Sequence, residues 1–207
     1  MPAVSPMYRL AMAASTPGVK WWGRLEVSGL EDLPADGPLL IAANHDSNWD
    51  SVAIGIAALP VRQIKALAKA SLWKHGLGTV LDGMGQIPID RGKGDVGALH
   101  RAIEELQAGA CIGVFVEGTR SKGHELRARS GLGRLAEAVP EAQIRCAAVT
   151  GTTAIPHFPS NRPHVKIRFF TPRGGGLMPG ESPADLPVRL LEEIRAEAPR
   201  VASSWRA

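Results

Sequence analysis

The apolar residues of this chain come in short blocks, and that limits the folds open to it more than any other feature. The longest block, Val52 to Leu59, is interrupted by Gly55. A membrane-crossing helix needs about 20 apolar positions, so none is encoded. The remaining blocks are strand-sized: Leu39 to Ala43 after the turn-forming Asp36-Gly37-Pro38, then Ile64 to Ala68, Gln86 to Ile89, Ile112 to Val116, Ile144 to Val149 and Val165 to Phe170. Helical segments lie between them. Ser47 to Leu59 must stop at Pro60, and a broken helical stretch covers Ser71 to Met84. Gly94 to Gln107 carries Val96, Leu99, Ile103 and Leu106 at helical spacing before Gly109. Further helices are expected near Leu132 to Val139 and over Leu186 to Ala198, ahead of Pro199. This alternation predicts an α/β fold: a single domain with a mainly parallel mixed sheet flanked by helices and an active site at the strand C-terminal ends.

Length and composition narrow the reading. A chain of 207 residues has room for one well-buried domain, expected over 27–207 behind an amphipathic, interfacial segment over 1–26. With 44% hydrophobic and 21% charged residues, disorder is excluded. Cys111 and Cys146 stand singly in apolar stretches, which excludes a disulfide scaffold or cysteine-rich zinc site and fits a reducing compartment. Arg9 is the first basic residue and only Leu10 to Ala14 follow it, which is not the order of a signal peptide. A cytoplasmic location is therefore expected. The net charge of +4 favours anionic partners. Zinc fingers, a phosphate-binding Gly-rich loop and basic ribbons studded with aromatics are all missing, so nucleic acid is not an expected partner.

Three strands end in polar turns: Asn44-His45-Asp46-Ser47-Asn48-Trp49-Asp50, Asp90-Arg91-Gly92-Lys93-Gly94 and Glu117-Gly118-Thr119-Arg120-Ser121. On a continuous helix, His45 and Asp50 would stand about 140° apart. If His45 instead ends a strand and Asp50 opens a helix, the loop between them can fold the carboxylate back onto the ring. The carboxylate would fix the imidazole tautomer and leave the other nitrogen free to take a proton from a hydroxyl. The same stretch also matches a capping box in which Asp50 only satisfies backbone N–H groups. Arg91 and Lys93 on a flexible turn before a helix suit a phosphate, or form a solvated turn with an Asp–Arg surface pair. Glu117 to Arg120 offers backbone N–H groups, a hydroxyl and a guanidinium, or a plain strand-end turn.

Taken in order, the three turns resemble the motifs of the lysophosphatidate acyltransferase family of glycerolipid acyltransferases. Asn44-His45-x-x-x-x-Asp50 corresponds to the first motif, Gly85-Gln86-Ile87-Pro88-Ile89-Asp90-Arg91 to the second, and Phe115-Val116-Glu117-Gly118-Thr119-Arg120-Ser121 to the third. The flanking stretches Gly29 to Pro34 and Lys69 to Lys74 are also similar, so the likeness runs from about Val27 to Thr152. It implies transfer of a fatty acyl group from acyl-CoA or acyl carrier protein to the free hydroxyl of 1-acylglycerol 3-phosphate, giving phosphatidate in phospholipid biosynthesis. By resemblance, His45 is the general base and Asp50 orients it. Asn44, Arg91, Glu117, Gly118, Thr119 and Arg120 would bind substrate. The donor is a substrate, and neither a cofactor nor a metal is implied. Turn N–H groups such as that of Gly118 could meet the oxyanion of the tetrahedral intermediate.

Three departures from the family pattern stand out. Val116 replaces a proline, the stretch Ala128-Arg129-Ser130-Gly131 keeps positive charge but lacks an aromatic, and Cys146 to Val149 lacks the proline of a fourth motif before Thr150-Gly151-Thr152. No site residue is named in that fourth stretch. A lipid acceptor implies peripheral contact with the inner face of the cell membrane. Met7, Tyr8, Leu10, Met12, Trp21 and Trp22 could lie in the interface with Arg9, Lys20 and Arg24 near head groups, or the tryptophans cover one end of the sheet. Arg127, Arg129 and Arg134 could meet phosphates or form a solvated face. Glycerol 3-phosphate or another lysolipid or glycolipid hydroxyl is the alternative acceptor. Outside the transferases stand an acyl thioesterase and a silent lipid-binding relative. The intact His45 and Asp50 disfavour the silent relative, and the missing Gly-x-Ser-x-Gly elbow disfavours a serine hydrolase.

Overall fold

The computed structural model describes residues 4–90, 94–157 and 162–200. Seven strands form one sheet: β1 (Glu26–Ser28), β2 (Leu39–Ala43), β3 (Ile64–Lys69), β4 (Ile87–Ile89), β5 (Cys111–Phe115), β6 (Gln143–Thr150) and β7 (Lys166–Phe170). Among the described residues six α-helices accompany them: α1 (Pro6–Thr16), α2 (Asp50–Ala58), α3 (Gly78–Gly83), α4 (Val96–Gln107), α5 (Gly131–Ala138) and α6 (Leu186–Glu197). The strand order is β1-β7-β6-β2-β5-β3-β4, and only the β6–β7 pair is antiparallel. This is the mixed, mainly parallel α/β sheet the alternation predicts.

All five residues of β2 are buried, as a central strand covered on both faces requires. Leu40 and Ala42 point into a layer built with Ala102 and Leu106 of α4, Leu132 and Leu135 of α5, and Leu190 and Ile194 of α6. Leu39, Ile41 and Ala43 point the other way, onto Ala53, Ile54 and Ala57 of α2. Each fully buried Leu or Ile contributes about 1.5–3 kcal/mol, so the two layers fix β2 firmly. Both cysteines are core residues. Burial pushes the Cys111 thiol up to about 12 and raises that of Cys146 as well, so both stay neutral.

Most element boundaries agree with the sequence reading to within one or two residues. The exceptions are local. The sequence pattern passes over β1, whose three residues show no run of apolar positions. The expected helix from Ser47 starts only at Asp50, because the preceding loop is turned by hydrogen bonds to Asp50 itself. At the N-terminus, α1 packs against α2 and α3. Tyr8 and Met12, expected at a membrane interface, are buried at 2% and 4% exposure. They lie over Gly55 of α2, where an added Cβ would come within 2.8 Å of both side chains. Leu10 and Trp21 do stay exposed, at 64% and 69%.

Candidate active site

Strand order assembles the site. β2 lies between β5 and β6, parallel to both, with Ala43 opposite Phe115 on one side and Ala147 on the other. The chain leaving β2 at Asn44 therefore runs beside Glu117 and beside the Thr150-Gly151-Thr152 turn. Asn44 is fully buried and ties the strands together. Its Nδ2 donates to the Val149 carbonyl at 2.8 Å and to Asp46 at 3.0 Å, and its Oδ1 accepts from the Val149 N–H at 2.8 Å.

His45 and Asp50 meet. His45 Nδ1 lies 2.9 Å from Asp50 Oδ2, and the carboxylate is completely buried. The same oxygen accepts from the N–H groups of Asp46 at 2.6 Å and Ser47 at 2.7 Å. Asp50 thus accepts from the loop backbone and contacts the ring at once, so it does more than satisfy backbone N–H groups. Its other oxygen accepts from Thr152 Oγ1 at 2.5 Å. A carboxylate at Nδ1 selects the tautomer with the proton there and leaves Nε2 basic. The imidazole stacks on Phe115 with centroids 4.0 Å apart and planes 15° from parallel.

A second layer of charge holds the His45 backbone. Glu117, completely buried, accepts the His45 N–H on Oε2 at 2.9 Å. The Ser121 N–H donates to the His45 carbonyl at 2.8 Å, and Ser121 Oγ donates to Asp46 Oδ1. Both carboxylates converge on Arg195 of α6. Its Nη1 and Nη2 donate to the two Asp46 oxygens at 2.8 and 2.9 Å, and Nη2 reaches both Glu117 oxygens at 2.7 Å. Burial pushes the Asp46 carboxyl up. Hydrogen bonds from Arg195, Ser121 and Asn44 outweigh that and hold it below the usual carboxylate range.

The Acyltransferase family profile matches residues 24–158, which hold the buried histidine–carboxylate pair and the turn of Glu117 beside it. The chain belongs to the Acyltransferase family. Among similar proteins, the 1-acyl-sn-glycerol-3-phosphate acyltransferase of Bacillus subtilis (strain 168) is 30% identical over 116 residues, covering 56% of this chain and 58% of that protein. The chloroplastic 1-acyl-sn-glycerol-3-phosphate acyltransferase LPAT1 of Arabidopsis thaliana is 31% identical over 103 residues, 48% of this chain and 28% of that protein. The chain thus spans only part of the length of each. The crystal structure of the 1-acyl-sn-glycerophosphate (LPA) acyltransferase PlsC from Thermotoga maritima superposes with a TM-score of 0.67 over 92% of this chain and 78% of that one, at 21% identity. It shares the fold.

Among the residues that the motifs single out, Asn44, His45, Asp50 and Glu117 come together in the buried centre. Gly118, Thr119 and Arg120 lie at its rim, with Thr119 exposed and Arg120 half-buried. Gly118 has φ +70°, and an added Cβ would lie 2.8 Å from Arg129 Cγ. Its N–H donates to the Phe115 carbonyl at 2.9 Å, so that donor is already engaged within the turn. Arg91 and Lys93 lie outside the described residues; β4, which leads to them, is two strands from β5. Three residues escape sequence reasoning. Thr152 supports Asp50 from the fourth stretch, where the sequence reading names no site residue. Phe115 opens the third motif in the sequence, and only the structure shows its stacking on His45. Arg195 carries no signal beyond being a basic residue in the last turn of a helix.

Proposed function

We propose that this acyltransferase moves a fatty acyl group from a thioester, acyl-CoA or acyl carrier protein, to the free hydroxyl of 1-acylglycerol 3-phosphate and so forms phosphatidate. The observation that carries the reading is the buried His45–Asp50 pair at 2.9 Å, whose Nε2 is the basic ring nitrogen. The names of the Bacillus and Arabidopsis relatives supply the acceptor. His45 Nε2 takes the proton of the acceptor hydroxyl as its oxygen attacks the thioester carbonyl carbon. Collapse of the tetrahedral intermediate breaks the C–S bond, and the proton on His45 passes to the departing thiolate. Asp50 holds the imidazolium in place. Arg91, Thr119 and Arg120 bind the acceptor's phosphate and polar head, and Arg127, Arg129 and Arg134 add positive charge for donor phosphates. Asn44, Glu117 and Gly118 serve binding indirectly, by shaping the turns. The reaction uses no cofactor or metal beyond the donor.

Contact with the inner face of the cell membrane belongs to the same proposal. No helix among the described residues is long and apolar enough to cross a membrane. Leu10 and Trp21 are exposed beside the exposed cations Arg9, Lys20 and Arg24, a composition suited to a lipid interface. The segment also neighbours the site, since an added Cβ on Gly18 would meet the Trp49 ring at 3.7 Å.

Thiol release from palmitoyl-CoA tests the reading, with and without lysophosphatidate or glycerol 3-phosphate, for wild type and His45→Ala, with the lipid product identified. Release that needs lysophosphatidate, yields phosphatidate and disappears in the variant is the expected result. Dependence on glycerol 3-phosphate instead would reassign the acceptor. Release without acceptor, lost in the variant, would make the protein a thioesterase. No release with palmitoyl-CoA or with palmitoyl carrier protein would overturn the proposal.

A further inference from the structure

The site is completed by a residue beyond the stretch that the family profile matches. Arg195 lies in the last turn of α6, past residue 158. Its side chain is only 7% exposed, and both of its terminal nitrogens are taken up by carboxylates. Its two charge partners are each one bond from the dyad. Glu117 accepts the His45 N–H. Asp46 donates its own N–H to Asp50 Oδ2, and its carboxylate receives Ser121, whose N–H in turn holds the His45 carbonyl. The backbone on either side of the imidazole is therefore fixed through two carboxylates that share one guanidinium.

We propose that Arg195 is a positioning residue for acyl transfer, setting the orientation and charge environment of His45 and Asp50 through Asp46 and Glu117. The proposal rests on the proposed role of that dyad. A planar fork is what the geometry requires, because one group must span two carboxylates with several directed N–H bonds. The charged and titratable groups at this junction are Asp46, Glu117, His45, Asp50 and Arg200, with Asn44 and Ser121 as neutral donors. Arg200 Nε is 3.9 Å from Glu117 Oε1, too far for a hydrogen bond. Without Arg195, Asp46 would lose its cation and Glu117 would keep only the more distant Arg200 guanidinium. One carboxylate would take up a proton at higher pH and loosen its hold, or both would stay charged and raise the basicity of His45. In either case the acid limb of kcat moves to higher pH.

The test compares wild type, Arg195→Met, Arg195→Lys and Arg195→Met combined with Asp46→Asn. It measures kcat and KM against pH, thermal melting, and the NMR titration of the His45 imidazole, assigned by difference with His45→Ala. Arg195→Met should lower kcat on the order of 100-fold, as small misplacements of catalytic groups do, leave KM for both substrates unchanged, and move the acid limb upward. Adding Asp46→Asn should recover on the order of 10-fold of kcat and return the limb toward wild type, because it removes the unbalanced charge. A kcat loss at all pH values, with an unmoved limb and no recovery, would overturn the proposal in favour of simple structural support. A raised acceptor KM at unchanged kcat would overturn it in favour of substrate binding. If Arg195→Met does not fold, Arg195→Lys carries the test: charge is kept and the fork is lost, so kcat should fall and the His45 titration should shift. A His45 titration identical to wild type in that variant would overturn the proposal. The titration needs no turnover. An inactive wild type would thus defeat the acyl-transfer reading while the NMR result still decides whether Arg195 sets the state of His45.

Discussion

Two arginines are buried at opposite edges of the sheet, and they are used differently. Arg62, 1% exposed, sits beside the strand N-termini and donates to the backbone carbonyls of Pro34, Gly37 and Gly109 at 2.8 to 3.0 Å. Every partner is neutral. Arg195 sits beside the strand C-termini and meets two carboxylates that are themselves bonded to the His45–Asp50 turn. Both buried cations hold loops between strands. Only the second ties its charge to carboxylates bonded to the proposed catalytic turn, so stability and the proposed chemistry are separable at one edge and coupled at the other.

The largest effect should come from the coupled edge. His45→Ala removes the proposed base and should lower transfer by about 10²–10⁴-fold, the usual contribution of a positioned base, with a melting temperature close to wild type. Activity within a few-fold of wild type would show that the dyad is not the chemical centre. At the other edge, Arg62→Met strands three carbonyls and should cost on the order of 3 kcal/mol of stability, read by urea denaturation. Activity per folded molecule should stay at the wild-type level, and a matching loss of activity would erase the distinction between the two arginines.

Thr152→Val sharpens the comparison further. It removes one hydrogen bond to Asp50 while keeping side-chain shape, so kcat should fall about 10-fold, the equivalent of one hydrogen bond to a charged group. The smallest effect concerns pH. The folded-state value of Asp46 is depressed, through Arg195, Ser121 and Asn44 acting against burial. Its contribution to stability is therefore complete above the unfolded value of about 3.9 and is lost as pH falls through the lower folded value. Asp46→Asn should flatten the acid side of the stability curve below about pH 4. A curve as steep as wild type would mean that other carboxylates carry the acid transition.

Much of the site is legible in local sequence because its chemistry depends on short-range geometry. His45 to Asp50 is one loop, and the requirement that Asp50 fold back is met within it. The capping reading of Asp50 stays open at that level, and only the fold shows one carboxylate oxygen accepting two N–H groups and also facing Nδ1. The substrate reading of Asn44 and Glu117 depended on which way their side chains point. Sequence cannot supply that, and both side chains are buried against neighbouring strands. Tyr8 and Met12 show the same limit in α1. Their spacing suits an apolar face, and only packing over Gly55 decides that the face turns inward while Leu10 stays out.

By itself the sequence determined the strand and helix alternation, the mainly parallel mixed sheet, and the three polar turns that resemble the motifs of the Acyltransferase family. These follow from hydrophobic period, proline and glycine punctuation, and spacings of a few residues. Tertiary structure alone decided which turns share a site. The order β6-β2-β5 sets Thr152 and Glu117 on either side of His45, and α6 brings Arg195 to carboxylates at positions 46 and 117. Hydrophobic pattern reports which face of an element is buried, while the pairing of distant charges depends on where the whole chain returns, which no local spacing records.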